Sequence, residues 1–257
     1  MKKTIISCVL FLTAVTAFSQ TTMKTAAEAK LSASDLAVKI ADRILATTTY
    51  EFKNTKTGKT YKSVKNLPLD MNVKVACKYN NWHYTNGVTH IALMELADKT
   101  GAKKYDDYVF KNMDFVFNEG NLDFFKKQYD QAMKDEGWYG VRKLSWHMIF
   151  RGKRLDDNGP MGASLIDLQM KHPNNSFLNY INETAEHLNY GEPRLADGTI
   201  ARIWPHENTI WADDAFMAIS FLARMAKMTG DMNYINDAAN QVIKYHKYLW
   251  CPEKRIL

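Results

Sequence analysis

Two stretches of this chain repeat one pattern: a helix apolar on nearly every side, a Thr-Gly stop, then an amphipathic helix. Few folds accommodate that unit. Residues 87–99 are mostly apolar and Thr100-Gly101 ends the run; residues 103–117 then place Tyr105, Tyr108, Val109, Met113 and Val116 on one face. Residues 215–228 repeat the apolar run, Thr229-Gly230 repeats the stop, and residues 232–249 carry Ile235, Ala238, Ala239, Val242 and Ile243 on one face. Aligning the Thr-Gly pairs also aligns Tyr105 with Tyr234. A weaker third copy runs over residues 161–170, breaks at His172-Pro173 and continues through Phe177, Leu178, Ile181, Ala185 and Leu188. A helix apolar on most sides has to be covered on most sides, whereas an amphipathic helix shows one face to water. The alternation predicts an all-α fold of inner helices within outer ones, an (α/α) toroid. An open α-solenoid is the alternative, and the irregular spacing of the units argues against it. Upstream, Ser32 to Asp35 form a capping pattern for a helix with Leu36, Ala37, Ile40, Ala41, Ile44 and Leu45 at its apolar positions. Residues 51–69 are polar, contain Gly58 and Pro68, and read as a loop.

The 257 residues suffice for one large domain with a real core. Aromatic residues make up 12% of the chain, which raises the prior for sugar binding only slightly, because aromatic-rich cores are commoner. The formal charge of +6 is spread without a polybasic block, which counts against nucleic acid as a partner. Lys2 and Lys3, the apolar residues 5–15 and Ala17-Phe-Ser19 read as a secretory signal over residues 1–19, leaving a catalytic domain over residues 20–257. The chain is therefore expected to be exported, to the periplasm or beyond. No later segment is apolar enough to span a membrane. Of three cysteines, Cys8 lies in the signal; Cys77 and Cys251 leave room for at most one bridge.

Candidate chemistry concentrates where apolar helices begin. Trp211-Ala-Asp213-Asp214-Ala-Phe-Met217 puts two aspartates at the head of an apolar run. Acidic residues favour helix N-termini for the macrodipole alone; the functional reading is that one of them moves a proton. A helix N-terminus depresses a carboxyl pKa and a general acid needs it raised, so burial or a second carboxylate would have to prevail. Leu155-Asp156-Asp157-Asn-Gly-Pro-Met-Gly162 supplies a second acidic pair, which also reads as a turn and cap before the helix. Trp82 and Tyr84, in Asn81-Trp-His-Tyr-Thr-Asn-Gly87, either stack on a sugar ring or close the end of a hairpin. Arg202, in Arg202-Ile-Trp-Pro-His206, either clamps a substrate carboxylate or makes an ordinary salt bridge. No His-x-x-x-His, paired Cys-x-x-Cys, phosphate loop or dinucleotide fingerprint is present, and neither a metal nor a cofactor is expected.

At these residues the chain resembles the unsaturated glycuronyl hydrolases: glycoside hydrolase family 105, the unsaturated rhamnogalacturonyl hydrolases, and more distantly family 88. The resemblance rests on Trp82-His-Tyr-Thr-Asn-Gly87, Leu155-Asp-Asp157 with Gly162, Trp211-Ala-Asp-Asp-Ala-Phe-Met217 and the helix end at residues 222–231, and it spans about residues 80–250. It implies an (α/α)6 six-hairpin toroid without a metal. It also implies a hydration: an aspartate protonates C4 of a 4,5-unsaturated uronate, water adds at C5, and the hemiketal opens to release the neighbouring sugar of a pectic oligosaccharide. By motif match the proton donor is Asp213 and the supporting carboxylate Asp157, with Asp156 the second choice. Trp211 and Tyr84 would pack on the sugar; Trp82, Met217, Arg202 and His206 are further candidates for substrate contact.

Periodicity shows about eight helical segments, fewer than six hairpins require. The sequence is therefore expected to represent the N-terminal portion of a toroid. An inactive glycan-binding remnant of the same fold and a helical-repeat protein-binding module are the competing readings. The sugar next to the uronate and the oligomeric state are not legible.

Overall fold

The computed structural model describes residues 32–118, 120–150 and 154–255. The expected signal, residues 1–19, lies outside the described residues. The chain divides into two compact units, residues 1–43 and 44–257. The described part of the first is the start of helix α1 (Ala33–Thr47). The Ser32 hydroxyl accepts the Asp35 amide, and the Asp35 carboxylate accepts the Ser32 amide and hydroxyl, the reciprocal cap that the sequence predicts.

The second unit is mainly helical: α2 (Tyr84–Thr100), α3 (Lys104–Phe117), α4 (Asn121–Val141), α5 (Leu155–Lys171), α6 (Asn175–Glu186), α7 (Ala212–Thr229) and α8 (Met232–Leu249). Both Thr-Gly stops act as expected. Gly101 and Gly230 adopt φ of 70° and 75°, and their amides return to the carbonyls of Ala97 and Ala226. A left-handed residue ends a helix most cheaply when it is glycine. The buried positions of α3 include the whole predicted face, Tyr105, Tyr108, Val109, Met113 and Val116.

Helix α5 sets the architecture. From Leu155 to Leu168 every residue except Asp156 and Asp167 is buried, and α5 packs against α2, α6 and α7. Glycines allow backbones to meet there. A Cβ on Gly87 of α2 would overlap the Pro160 carbonyl, and one on Gly159 would overlap the Met217 carbonyl. Gly162 lies against the Phe221 ring. Because Gly159–Met217 and Gly162–Phe221 advance together along both helices, α5 and α7 run parallel. Their N-termini share one end, and the first turns of α2 reach the same level of α5.

Three expectations change. Residues 51–69 are not purely loop: β1 (Phe52–Asn54) pairs antiparallel with β2 (Thr60–Tyr61) on one side and with β3 (Val73–Val75) on the other. Phe52, fully buried against Phe115, Phe124 and Phe125, anchors this sheet to α3 and α4, and so short a strand offers no run to detect. Asp156, Asp157 and the Asn-Gly-Pro after them lie inside α5 rather than in a turn before it. On α8 the buried side is Ala238, Gln241 and Tyr245, while Val242 and Ile243 are exposed. Gln241 and Tyr245 are drawn inward because they bond the backbone of the loop before α7: Gln241 accepts the Ile200 amide and donates to the Gly198 carbonyl, and the Tyr245 hydroxyl donates to the Ile200 carbonyl.

Cys77 and Cys251 are both free thiols. Among the described residues no helix is long and apolar enough to cross a membrane.

Replacing Gly159 with alanine improves helix propensity by about 1 kcal/mol but overpacks the α5–α7 contact by about 1–3 kcal/mol. Gly159→Ala is therefore expected to lower the urea unfolding midpoint; a more stable variant would show that the two backbones do not meet as described.

Candidate active site

The parallel packing of α5 and α7 delivers Asp156, Asp213 and Asp214 to one place, with carboxylate oxygens within 4.8 Å of one another. Three like charges so close need a counter-charge. The fold supplies it from the loop between α6 and α7. Arg202 donates from Nε to Asp214 Oδ2 at 2.7 Å and from Nη2 to Asp214 Oδ1 at 2.6 Å. It also donates from Nη2 and Nη1 to the two Asp156 oxygens at 2.8 and 3.2 Å. Asp213 Oδ2 is 3.8 Å from Nη2. The guanidinium plane lies over the Trp211 ring, 4.2 Å from its centroid.

The two aspartates of α7 differ sharply in exposure. The Asp214 side chain is 1% exposed and that of Asp213 is 54% exposed. Successive helical residues point about a quarter-turn apart, so one carboxylate faces inward to Arg202 and the other faces solvent. Burial holds the Asp214 carboxyl above its ordinary value, against the two hydrogen bonds and the charge of Arg202. On Arg202, burial works against the charge, but Asp214 and Asp156 outweigh it and hold the guanidinium firmly protonated.

The loop carrying Arg202 is pinned at several points. Isolated bridges join Arg194 to Ile200 and Arg202 to Thr209. Arg194 forms a two-bonded pair with Asp237 of α8. This loop also contributes a group without a sequence signal. Glu192 Oε2 lies 2.7 Å from His187 Nε2, with both side chains largely buried. Burial, then the charges of Asp214 and Asp156, push the Glu192 carboxyl up to about 7, against Arg194 and Arg202. A single glutamate after a glycine in a polar loop is unremarkable in sequence; only the fold shows that it lies within electrostatic reach of two other carboxylates.

The remaining candidates separate. Trp82 is fully buried: its indole N–H donates to the Asp157 carbonyl at 2.8 Å and its ring packs edge-on against Tyr180. It has no face open to a sugar and belongs to the core. Asp157 is itself buried, and its charge helps to raise the Tyr180 hydroxyl, for which burial is the larger cause. The carboxylate gathered with Asp213 is thus Asp156, the second choice of the sequence reading, because Asp156 falls on the one part of the α5 N-terminus that is not covered. Met217 is buried, with its carbonyl against Gly159. Tyr84 is part-exposed in the first turn of α2 and packs on His83. Trp211 is 41% exposed beside Arg202. His206 is exposed at the tip of the Arg202–Thr209 loop.

Glu192 generates a pH prediction. Its folded pKa, about 7, lies above the ordinary 4.5, so the folded state binds the proton more tightly and the resulting stability is present below about pH 4.5 and lost as pH rises through about 7. Across that window the native protein should lose about 1–3 kcal/mol relative to Glu192→Gln, measured by urea unfolding. Parallel stability curves for the two proteins would refute the buried state of Glu192.

Comparison with known proteins bears on the fold that carries these residues. The fold is similar to that of a possible member of the GH105 family from Klebsiella pneumoniae subsp. pneumoniae MGH 78578, with a TM-score of 0.57 and 14% identity over 87% of this chain and 50% of that one. A possible GH105 member from Salmonella enterica subsp. enterica serovar Paratyphi A str. ATCC 9150 gives a TM-score of 0.53 and 14% identity, covering 88% and 51%. A family 105 glycoside hydrolase from C. acetobutylicum ATCC 824 gives 0.50 and 21% identity, covering 76% and 45%. The chain spans about half the length of these structures. No curated protein matches. The profile of Glycosyl Hydrolase Family 88 matches residues 59–256, from β2 through α8. With the all-α hairpin fold of the GH105 structures and a profile match over most of its length, the chain belongs to glycosyl hydrolase family 88.

Proposed function

We propose that this protein is an exported hydrolase of unsaturated uronyl oligosaccharides of pectic, rhamnogalacturonan type, and that Asp213 is its proton donor. Asp213 is the one exposed carboxylate of a group otherwise held by Arg202, and it stands at the shared end of two parallel buried helices. That observation carries the reading. An acid that touches substrate has to be reachable; Asp214, almost fully buried, is not.

In this reading Asp213 delivers its proton to C4 of the 4,5-unsaturated uronate. The electron pair of the ring oxygen stabilises the positive charge left at C5. Water adds there, and Asp213, now ionised, takes up the proton that the water loses. The hemiketal at C5 then opens to a ketone, breaking the bond to the ring oxygen and leaving C1 as a hemiacetal. That hemiacetal collapses to an aldehyde, its hydroxyl proton passing to the glycosidic oxygen as the C1–O bond breaks, and the neighbouring sugar leaves with its hydroxyl restored. Because the reaction is a hydration, it does not need the fixed separation of two carboxylates that governs ordinary glycosidases. Asp156 is the second carboxylate at this end of the helices, gathered with Asp213 within 4.8 Å. Trp211 and Tyr84, both part-exposed, offer apolar faces to the sugar.

Turnover of an unsaturated disaccharide is followed as loss of the ultraviolet absorbance of the conjugated double bond. Asp213→Asn is expected to reduce kcat by about 10²–10⁴-fold with the fold intact by circular dichroism. Undiminished turnover in that variant would rule out Asp213 as the acid.

A further inference from the structure

We infer that Arg202 is a positioning residue for the acid–base group, fixing Asp156 and Asp214 beside Asp213, and is not a clamp for a substrate carboxylate. The kinetic part of this inference rests on the proposed hydrolase reading; the geometric part stands without it.

A guanidinium binds a carboxylate through one of its edges, with two parallel N–H bonds. Both edges that matter here are taken. The Nε–Nη2 edge holds Asp214 and the Nη1–Nη2 edge holds Asp156, with four bonds between 2.6 and 3.2 Å. The Trp211 ring covers a face. A substrate carboxylate could approach only by displacing one aspartate. Displacing Asp214 would strand a charge whose side chain is 1% exposed, which is strongly unfavourable. These bonds join three elements: α5 contributes Asp156, α7 contributes Asp213 and Asp214, and the loop contributes Arg202, while further along the two helices Arg224 of α7 pairs with Asp167 of α5.

The charged and titratable groups facing this centre come from every element around it. Asp156 approaches from α5, Asp213 and Asp214 from α7, and Tyr245 from α8. Glu192 and Arg194 approach from the loop, where Glu192 is paired with His187 and Arg194 with Asp237. Acidic groups outnumber the cations, so removing Arg202 leaves each remaining carboxyl harder to ionise. Losing that cation therefore moves both limbs of the pH–rate profile to higher pH, whereas losing a substrate clamp raises KM and leaves the profile in place.

The test is the pH profile of kcat/KM for Arg202→Met and Arg202→Lys on an unsaturated disaccharide. Arg202→Met is expected to lose about 100-fold, mostly in kcat, with both limbs moved up by roughly one pH unit or more. Arg202→Lys, which keeps the charge, should recover part of the rate with a profile close to that of the native enzyme. A Met variant with raised KM and an unmoved profile would make Arg202 a substrate clamp and overturn the inference. Equal losses in both variants with unmoved profiles would make its role merely structural. Should Arg202→Met fail to fold, Asp156→Asn decides: it removes a like charge, so the limbs should move down, and an unmoved profile refutes the assignment. Difference infrared titration of the carboxyl groups in substrate-free Arg202→Lys, Arg202→Met and native protein reads the same pKa changes. A native enzyme that leaves unsaturated disaccharides untouched would sink the proposed reaction, while the infrared titration would still decide the role of Arg202.

Discussion

Direct backbone contact between buried helices is the constraint on which the rest of this structure depends. Gly87 and Gly159 bring the backbones of α2 and α7 against α5, Gly162 admits the Phe221 ring, and a helix covered over almost its whole circumference has no freedom to slide. Because α5 and α7 are parallel and in register, their first turns share one end. The aspartates there converge because of helix packing and not because of their separation in the chain. Asp156 and Asp214 are 58 residues apart in sequence and are bound by one side chain.

That convergence has an electrostatic cost, met by one arginine. Asp214 is buried and its carboxyl is held above its ordinary value even with Arg202 bonded to it. Glu192, largely buried nearby, is pushed up to about 7. A site with more carboxylates than cations retains protons at pH values where free carboxyls have lost them. Burial and packing thus gather two carboxyls of raised pKa, Asp214 and Glu192, around the end of α7. The loop that brings Arg202 is held by Gln241 and Tyr245, whose side chains bond its backbone. The outer helix α8 thereby supports the site through the loop that carries Arg202.

The motif at residues 81–87 shows how a family signature divides between packing and surface. Asn86 donates to the carbonyls of Lys78 and Asn81, Trp82 donates to Asp157, and Gly87 admits α5. Of the residues in that stretch singled out for sugar contact, only Tyr84 remains exposed. A tryptophan near a site is as apt to be the wall behind it as the platform within it, and the hydrogen bond from its indole to a helix carbonyl decides the matter here.

Much of the fold was legible because local rules and tertiary demands agree. The Thr-Gly stops, the capping Ser32–Asp35 pair and the buried stripe of α3 follow from glycine's left-handed freedom, side-chain capping and helical periodicity, all short-range effects. The sequence by itself also marked Asp213 and Asp214, since carboxylates at the head of an apolar helix stand out without any structure. It was silent where an outcome depends on what approaches from elsewhere in the chain. Whether Asp156 or Asp157 joins the site is a choice between adjacent residues on one helix, decided by which side Trp82 and Tyr180 cover. The inward turn of Gln241 and Tyr245 on α8, in place of Val242 and Ile243, is decided by a loop backbone in need of partners, because a buried amide or carbonyl left unpaired costs more than an exposed valine. Glu192 next to His187 and the capture of Arg202 by two aspartates are likewise products of tertiary contact, since pairing energies depend on distance and burial, and neither is written in the order of residues.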